Sequence, residues 1–327
     1  MRLSASNKTS SGASVIQRRK SKLAFTDTNF RRKILTFGVD TPKSEFAANV
    51  DVKGYDLAVR DFTSVRCYLA QNLGLEEPWW QDLVSYYKVT PAQALALGTR
   101  QRGRRPDLPG SPTCQPVSGK TWEELWESRP RDSEEAIALF YQEIGAWACF
   151  RQVVRHRWRS WAFVARHLPP TGGTLLEYGC GVAAISFWVA THRPARWRWF
   201  HLVDVPSEHL TFGTWRLRKT GAQVGVQEVQ PGCPPWIPAT DVAVILETFE
   251  HLPAPLQAAQ QVGRVLRRGG VLFEDFGPHD LPSGADLPQA QIERPEVYRF
   301  FAKDFLLEAG RPWTDLDGGG IRQWRKH

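Results

Sequence analysis

Long apolar runs are missing from this 327-residue chain. None approaches the ~20 residues a helix needs to cross a bilayer, and no N-terminal apolar core marks a secretory signal. Cysteine is sparse: Cys67, Cys114, Cys149, Cys180 and Cys233 are scattered, odd in number and without metal-binding spacing. That pattern excludes a disulfide framework and a zinc module, so the expectation is reduced thiols in a cytoplasmic protein. Acidic residues are scarce in one stretch only. Residues 1–33 hold nine Lys or Arg against a single acid, Asp27, so this stretch alone accounts for the formal charge of +8. The remaining chain is balanced and carries no basic stripe interleaved with aromatics, which speaks against nucleic acid as its partner.

What is present is enough to fold. Hydrophobic residues make up 42% of the chain, with 14 tryptophans, and the length allows one large domain or two modest ones. Residues 1–45 are too polar and too basic to bury a core. They read as a disordered tail in preference to a transit peptide or a polyanion contact. Residues 46–168 read as a helical region. Tyr55 to Leu73 has helical apolar spacing, Thr90-Pro91 opens a short helix over Ala92 to Leu97, and residues 103–120 are a Pro/Gly-rich loop. Asp132-Ser133-Glu134-Glu135 is a capping signal for a helix through Ile144, and a second helix is expected from Ala146 to His167.

From residue 169 the pattern changes to alternating strands and helices. The apolar run Leu175-Leu176 ends in Glu177 and is followed by Gly179-Cys180-Gly181 and the helix-compatible stretch Ala183 to Ala190. This is a strand, a tight turn and a helix N-terminus. The glycines let the backbone bend sharply and lie close to a ligand, and the helix end is expected to present unpaired N–H groups. Further strands are expected at Trp199 to Val203, ending in Asp204, at Val224 to Val229, at Asp241 to Leu246 and at Val271 to Phe276. A helix over Pro255 to Leu266 is expected to stop at Arg267-Arg268-Gly269-Gly270. The fold expected is α/β: a Rossmann-like, doubly wound, mostly parallel sheet with helices on both faces, preceded by the helical region.

Gly-x-Gly alone would also suit a dinucleotide site, but Glu177 at the strand tip would repel a pyrophosphate. Apolar-apolar-Glu-x-Gly-x-Gly-x-Ala resembles the first motif of the class I S-adenosylmethionine (SAM)-dependent methyltransferases, departing from it at Ala183. The segment Arg264 to Leu272 resembles the same superfamily. The resemblance implies that Gly179 and Gly181 approach the methionine part of SAM, that Glu177 holds its ammonium directly or through water, and that Asp204 takes the ribose hydroxyls. An acid for the adenine after the third strand is missing. Trp236 stands nearby, either stacked on the base or packed in the fold.

After the fourth strand comes Glu247-Thr248-Phe249-Glu250-His251. If this stretch winds helically, Glu247, Glu250 and His251 share a face and could hold a divalent cation. The pattern resembles ubiquinone-pathway O-methyltransferases and small-RNA 2′-O-methyltransferases, where it carries Mg2+. The same letters also occur in relatives without metal, where they shape the pocket or supply a base, and both readings stand at this level. His251 is the candidate general base, supported by Glu250. His279, Asp280, Tyr141 and Glu143 are further polar candidates at the sheet edge or the cap. The function implied is SAM-dependent methyl transfer to a small-molecule acceptor, most readily at oxygen, with SAM as cofactor and Mg2+ as candidate metal. The alternatives are an RNA 2′-O-methyltransferase, a non-catalytic interaction protein and a nicotinamide dehydrogenase.

Overall fold

Strand residues of the second half sort into two sets, and each set faces its own hydrophobic layer. The computed structural model describes residues 78–90, 94, 122–155, 163–164, 166–277, 286–310 and 320–327. The tail 1–45, the helix expected at Tyr55 to Leu73, most of that at Ala92 to Leu97, the loop 103–120, and His279 with Asp280 lie outside the described residues. Seven strands form one sheet in the order β3-β2-β1-β4-β5-β7-β6. They are β1 (Gly173–Tyr178), β2 (Trp197–Asp204), β3 (Gln223–Glu228), β4 (Thr240–Ile245), β5 (Leu266–Glu274), β6 (Phe305–Ala309) and β7 (Arg322–Lys326). The first five are mutually parallel, and β7 runs antiparallel to both β5 and β6.

Alternation along each strand feeds the two layers. Leu175, Phe200, Leu202, Val242, Val244, Val271 and Phe273 face one cluster, which also takes residues of α1 (Pro78–Tyr87), α4 (Ala184–His192) and α5 (Glu208–Arg218). Leu176, Val203, Ala243, Ile245 and Leu272 face the other, with residues of α6 (Pro255–Val265) and α7 (Pro288–Asp304). Helices therefore cover both faces, as the doubly wound reading expects. A short helix, α2 (Trp122–Glu127), contributes Leu125 and Trp126 to the second layer. No described helix is long and apolar enough to cross a membrane.

The helix α3 (Glu134–Arg155) joins the layers. Before Gly145 it supplies Ile137, Phe140 and Ile144 to one cluster, and after it Trp147 to the same cluster but Ala146, Phe150 and Val153 to the other. It can do so because Gly145, at φ 49° and ψ −137°, kinks it. The two helices expected to meet between Ile144 and Ala146 do meet there, broken at this glycine; residues 156–162 and 165 of the second lie outside the described residues. Ser133 caps its start, Oγ accepting from Ala136 N at 3.2 Å.

Two expectations need correcting. Arg267 to Gly270 do not lie outside the sheet: helix α6 runs directly into β5 at Leu266. Those four residues bulge opposite Asp241, between the pairs Thr240–Leu266 and Val242–Val271. Arg267 then reaches Asp241 Oδ2 at 2.7 Å. The antiparallel strands β6 and β7 were not expected at all. Arg-Gln-Trp-Arg-Lys holds its place because buried Glu274 pairs it: Oε1 accepts from Arg322 Nε at 2.5 Å and from Trp324 Nε1 at 2.8 Å.

Candidate active site in the cleft between the first and fourth strands

The chain leaves β1 toward β2 on one side of the sheet and later returns to β4 on the other. The carboxyl edge between β1 and β4 is therefore the topological switch point, where open α/β sheets form their ligand crevice. A cleft of about 750 Å3, partly open to solvent, lies there. Strand ends supply Tyr178, Gly179 and Gly181 after β1, Asp204 and Val205 after β2, Val229 after β3, and Glu247, Thr248 and His251 after β4. Helix α3 covers it with Glu134, Ile137, Tyr141 and Gln152, and α5 adds His209.

The turn is shaped by left-handed backbone at alternate positions: Gly179 at φ 66°, Gly181 at φ 50° and Ala183 at φ 50°. A β-carbon at Gly179 would overlap the Thr248 side chain, and one at Gly181 would sit 2.6 Å from Gln152 Oε1. Ala183 takes the third glycine's place at a cost of about 1–2 kcal/mol for a non-glycine residue in that region. Fully buried, its methyl joins the hydrophobic layer under α5.

Almost every N–H of this turn already has a partner. Gly179 and Cys180 donate to the Val203 carbonyl at 2.8 and 3.2 Å, and Ala183 to the Cys180 carbonyl at 2.7 Å. Gly181 donates to Asp204 Oδ2 at 2.6 Å and Val182 to Gln152 Oε1 at 3.3 Å. Past the turn, Ile185 and Ser186 donate to the two oxygens of Glu177 at 3.2 and 2.8 Å. The open helix N-terminus expected from sequence is thus filled by the chain's own carboxylate, which suits the helix dipole.

This relocates Glu177. It is buried beneath the turn and absent from the cleft lining, so it braces the turn and does not face a ligand directly. Burial pushes its carboxyl up, opposed by the Ser186 and Ile185 hydrogen bonds and the charge of Arg216. Asp204 does line the cleft. Its Oδ1 accepts from Val205 N at 2.7 Å while Oδ2 holds Gly181. Burial raises it to about 6, against the hydrogen bonds from Gly181, Val205 and Cys180.

On the opposite wall the expected shared helical face does not form. Glu247 has a left-handed backbone, φ 52°, and the single 3-10 turn begins only at Phe249. Glu247 faces the cleft, whereas Glu250 is buried beneath the turn and off its lining. His251 lines the cleft with its Nε2 3.9 Å from Glu250 Oε1, and Trp126 packs edge-on against its ring at 5.2 Å. Among the described residues no group of three or more His, Cys, Asp or Glu is placed to hold a metal ion. The Mg2+ reading of Glu247, Glu250 and His251 therefore does not fit this geometry.

Other expectations also shift. Trp236 is 73% exposed and away from the cleft, so it neither stacks in the site nor packs in the core. Glu143 pairs with Arg129 at the surface, whereas Tyr141 does line the cleft. Residues that sequence reasoning passed over are Gln152, Thr248, His209 and Asp275. Asp275 Oδ1 accepts from Glu247 N at 2.7 Å, and burial with the neighbouring charges of Glu250 and Glu247 raises its carboxyl well above the usual range. Only Asp275 had a visible signal, an acid at the tip of the fifth strand.

No protein-family model matches the sequence, and no curated protein sequence does either. Solved structures of similar topology exist. The N-methyltransferase NodS from Bradyrhizobium japonicum WM9, in complex with S-adenosyl-L-homocysteine (SAH), is 13% identical with a TM-score of 0.39, over 51% of this chain and 85% of that one. A methyltransferase from Pyrococcus furiosus is 11% identical with a TM-score of 0.36, over 51% and 81%. The [4+2]-cyclase SpnF is 20% identical with a TM-score of 0.37, over 49% and 60%. Likeness of this degree leaves the reaction to be read from the cleft itself.

Proposed function

We propose that this chain is a class I SAM-dependent methyltransferase acting on a small molecule. The carrying observation is the Gly179–Gly181 turn at the switch point, locked to Asp204, with the helix N-terminus behind it already taken by Glu177. A phosphorylated nucleotide would need that N-terminus; a sulfonium nucleoside needs neither a phosphate cradle nor a positive wall.

The residues fit such a ligand. Each Asp204 oxygen spends one lone pair on a backbone N–H and keeps capacity for a ribose hydroxyl. When bound, SAM supplies an activated methyl group on a sulfonium leaving group. The protein then has to align the acceptor and exclude water, which the bent helix α3 does by closing over the sheet edge. His251, at the wall of the cleft, is the base that takes the acceptor's proton. The expectation of oxygen came from the resemblance of the Glu247–His251 segment to O-methyltransferases, and its metal-assisted form loses its support among the described residues.

RNA as acceptor is disfavoured by a lining that includes Glu134, Asp204 and Glu247 and no Lys or Arg among the described residues. The internally satisfied turn N–H groups are what a non-catalytic relative would also show. Calorimetric titration separates these readings. SAM is expected to bind and NAD to give no heat of binding; binding of NAD, or a flat SAM titration, would overturn the assignment.

A further inference from the structure

The cleft's polar lining is lopsided. Its acidic side chains are Glu134, Asp204 and Glu247, with neither Lys nor Arg among the described lining residues. Behind Glu247 lie the buried Glu250 and Asp275, and burial, together with the charges of Glu250 and Glu247, holds the Asp275 carboxyl up. Nothing in the lining is arranged to receive an anion.

An independent group points the same way. His209 lines the cleft, is 1% exposed, and its Nε2 has no hydrogen-bond partner among the described residues. Burial lowers its pKa to about 4, despite a bond to the Ala148 backbone, so the ring is neutral at physiological pH. With the bond to Ala148 made by the other nitrogen, the neutral tautomer leaves Nε2 as a bare acceptor. A buried acceptor without a donor is costly, and a ligand N–H or O–H would relieve it. The Tyr141 ring meets His209 at 5.7 Å and 74°, and adds an aromatic edge and face beside the acids.

We infer that the methyl acceptor is an amine that enters as its ammonium ion, drawn by Glu247 and Glu134 and satisfied as a hydrogen-bond donor by the acceptor groups of the cleft. This rests on the methyltransferase reading. Glu247 and Glu134 attract the cation, and Tyr141 lines the cleft beside them. The ammonium gives one proton to His251 and becomes a neutral amine. Its nitrogen lone pair forms the new N–C bond to the methyl carbon as the C–S bond breaks. The bonding pair stays on sulfur, leaving a neutral thioether, and the methylated nitrogen carries the positive charge.

The test uses acceptors matched in skeleton and opposite in charge: tyramine against 4-hydroxyphenylacetate, and putrescine against succinate. Each is incubated with the full chain and SAM, with SAH release and product mass as readouts. At least one amine is expected to be methylated at nitrogen, about tenfold or more faster than its carboxylate partner. Glu247→Gln is expected to lower kcat/KM for that amine about tenfold while changing the SAM Kd less than about twofold. Methylation of tyramine at the phenol oxygen, equal use of the carboxylates, or no amine used while SAM binds would overturn the inference. A flat SAM titration would instead remove the methyltransferase reading, so the two failures are distinguishable. The matched pairs are read on the unaltered protein, so the outcome does not depend on the variant folding.

Discussion

The two walls of the cleft are built on opposite electrostatic plans. On the side of β1 and β2, Glu177 and Asp204 are each bound by two backbone N–H groups, so the acids there serve the chain's own geometry. On the side of β4, Glu247 faces the cleft over Glu250 and Asp275, and carboxyl groups are crowded together. Under the proposed function the first wall is a mould that positions the cofactor. The second, on the same reading, selects the acceptor by charge. The difference matters because identical residue types do different work, and substitution should tell them apart.

The largest expected effect is on the mould. Glu177→Ala strands the Ile185 and Ser186 N–H groups and removes one of the carboxylate charges near Arg216, Asp82 remaining, which should cost about 2–4 kcal/mol of stability in denaturant unfolding. Gly179→Ala should cost about 2 kcal/mol and lower SAM affinity, because the new methyl meets Thr248 from a left-handed backbone. Native-like SAM binding by this variant would show that the turn does not approach the ligand.

Asp204→Asn should weaken SAM about tenfold in titration, since an amide cannot accept from Gly181, Val205 and two ribose hydroxyls together. A smaller change is expected from pH. Asp204 is held at about 6, so it is charged above that pH and neutral below it. SAM affinity should therefore be level above pH 7 and decline several-fold as pH falls through 6; affinity unchanged down to pH 5 would remove the carboxylate's role. Least of all, Glu247→Gln should leave unfolding free energy within about 0.5 kcal/mol, because the isosteric amide oxygen can still accept the side-chain hydrogen bond that joins this residue to Asp275. A loss as large as that of Glu177→Ala would mean that both walls are structural and erase the contrast.

Sequence carried the central fold because its signals are local. The glycine turn, the apolar runs of β1, β2 and β4, and the acids at the strand tips are each legible within ten residues. The kink at Gly145 was visible as the seam between two expected helices. What stayed hidden depends on distant partners. Strand β7 contains one apolar residue, and its identity as a strand comes from Glu274, 48 residues before Arg322. Gln152 reaches Val182 from 30 residues away, and no periodicity announces it. The Glu247–His251 segment misled for another reason: helical spacing predicts a shared face only if the backbone is helical, and Glu247 adopts the left-handed region instead. Glu177 was recognised as a key residue, yet its direction could not be read, because the nearest claim on its oxygens comes from the helix that follows.

The most direct measurement is a crystal structure of the protein soaked with SAH. The nucleoside is expected in the cleft, its ribose against Asp204 and its amino-acid end over Gly179 and Gly181. A cleft that stays empty at saturating ligand, with Gln152 and Thr248 still seated on the two glycines, would contradict the account.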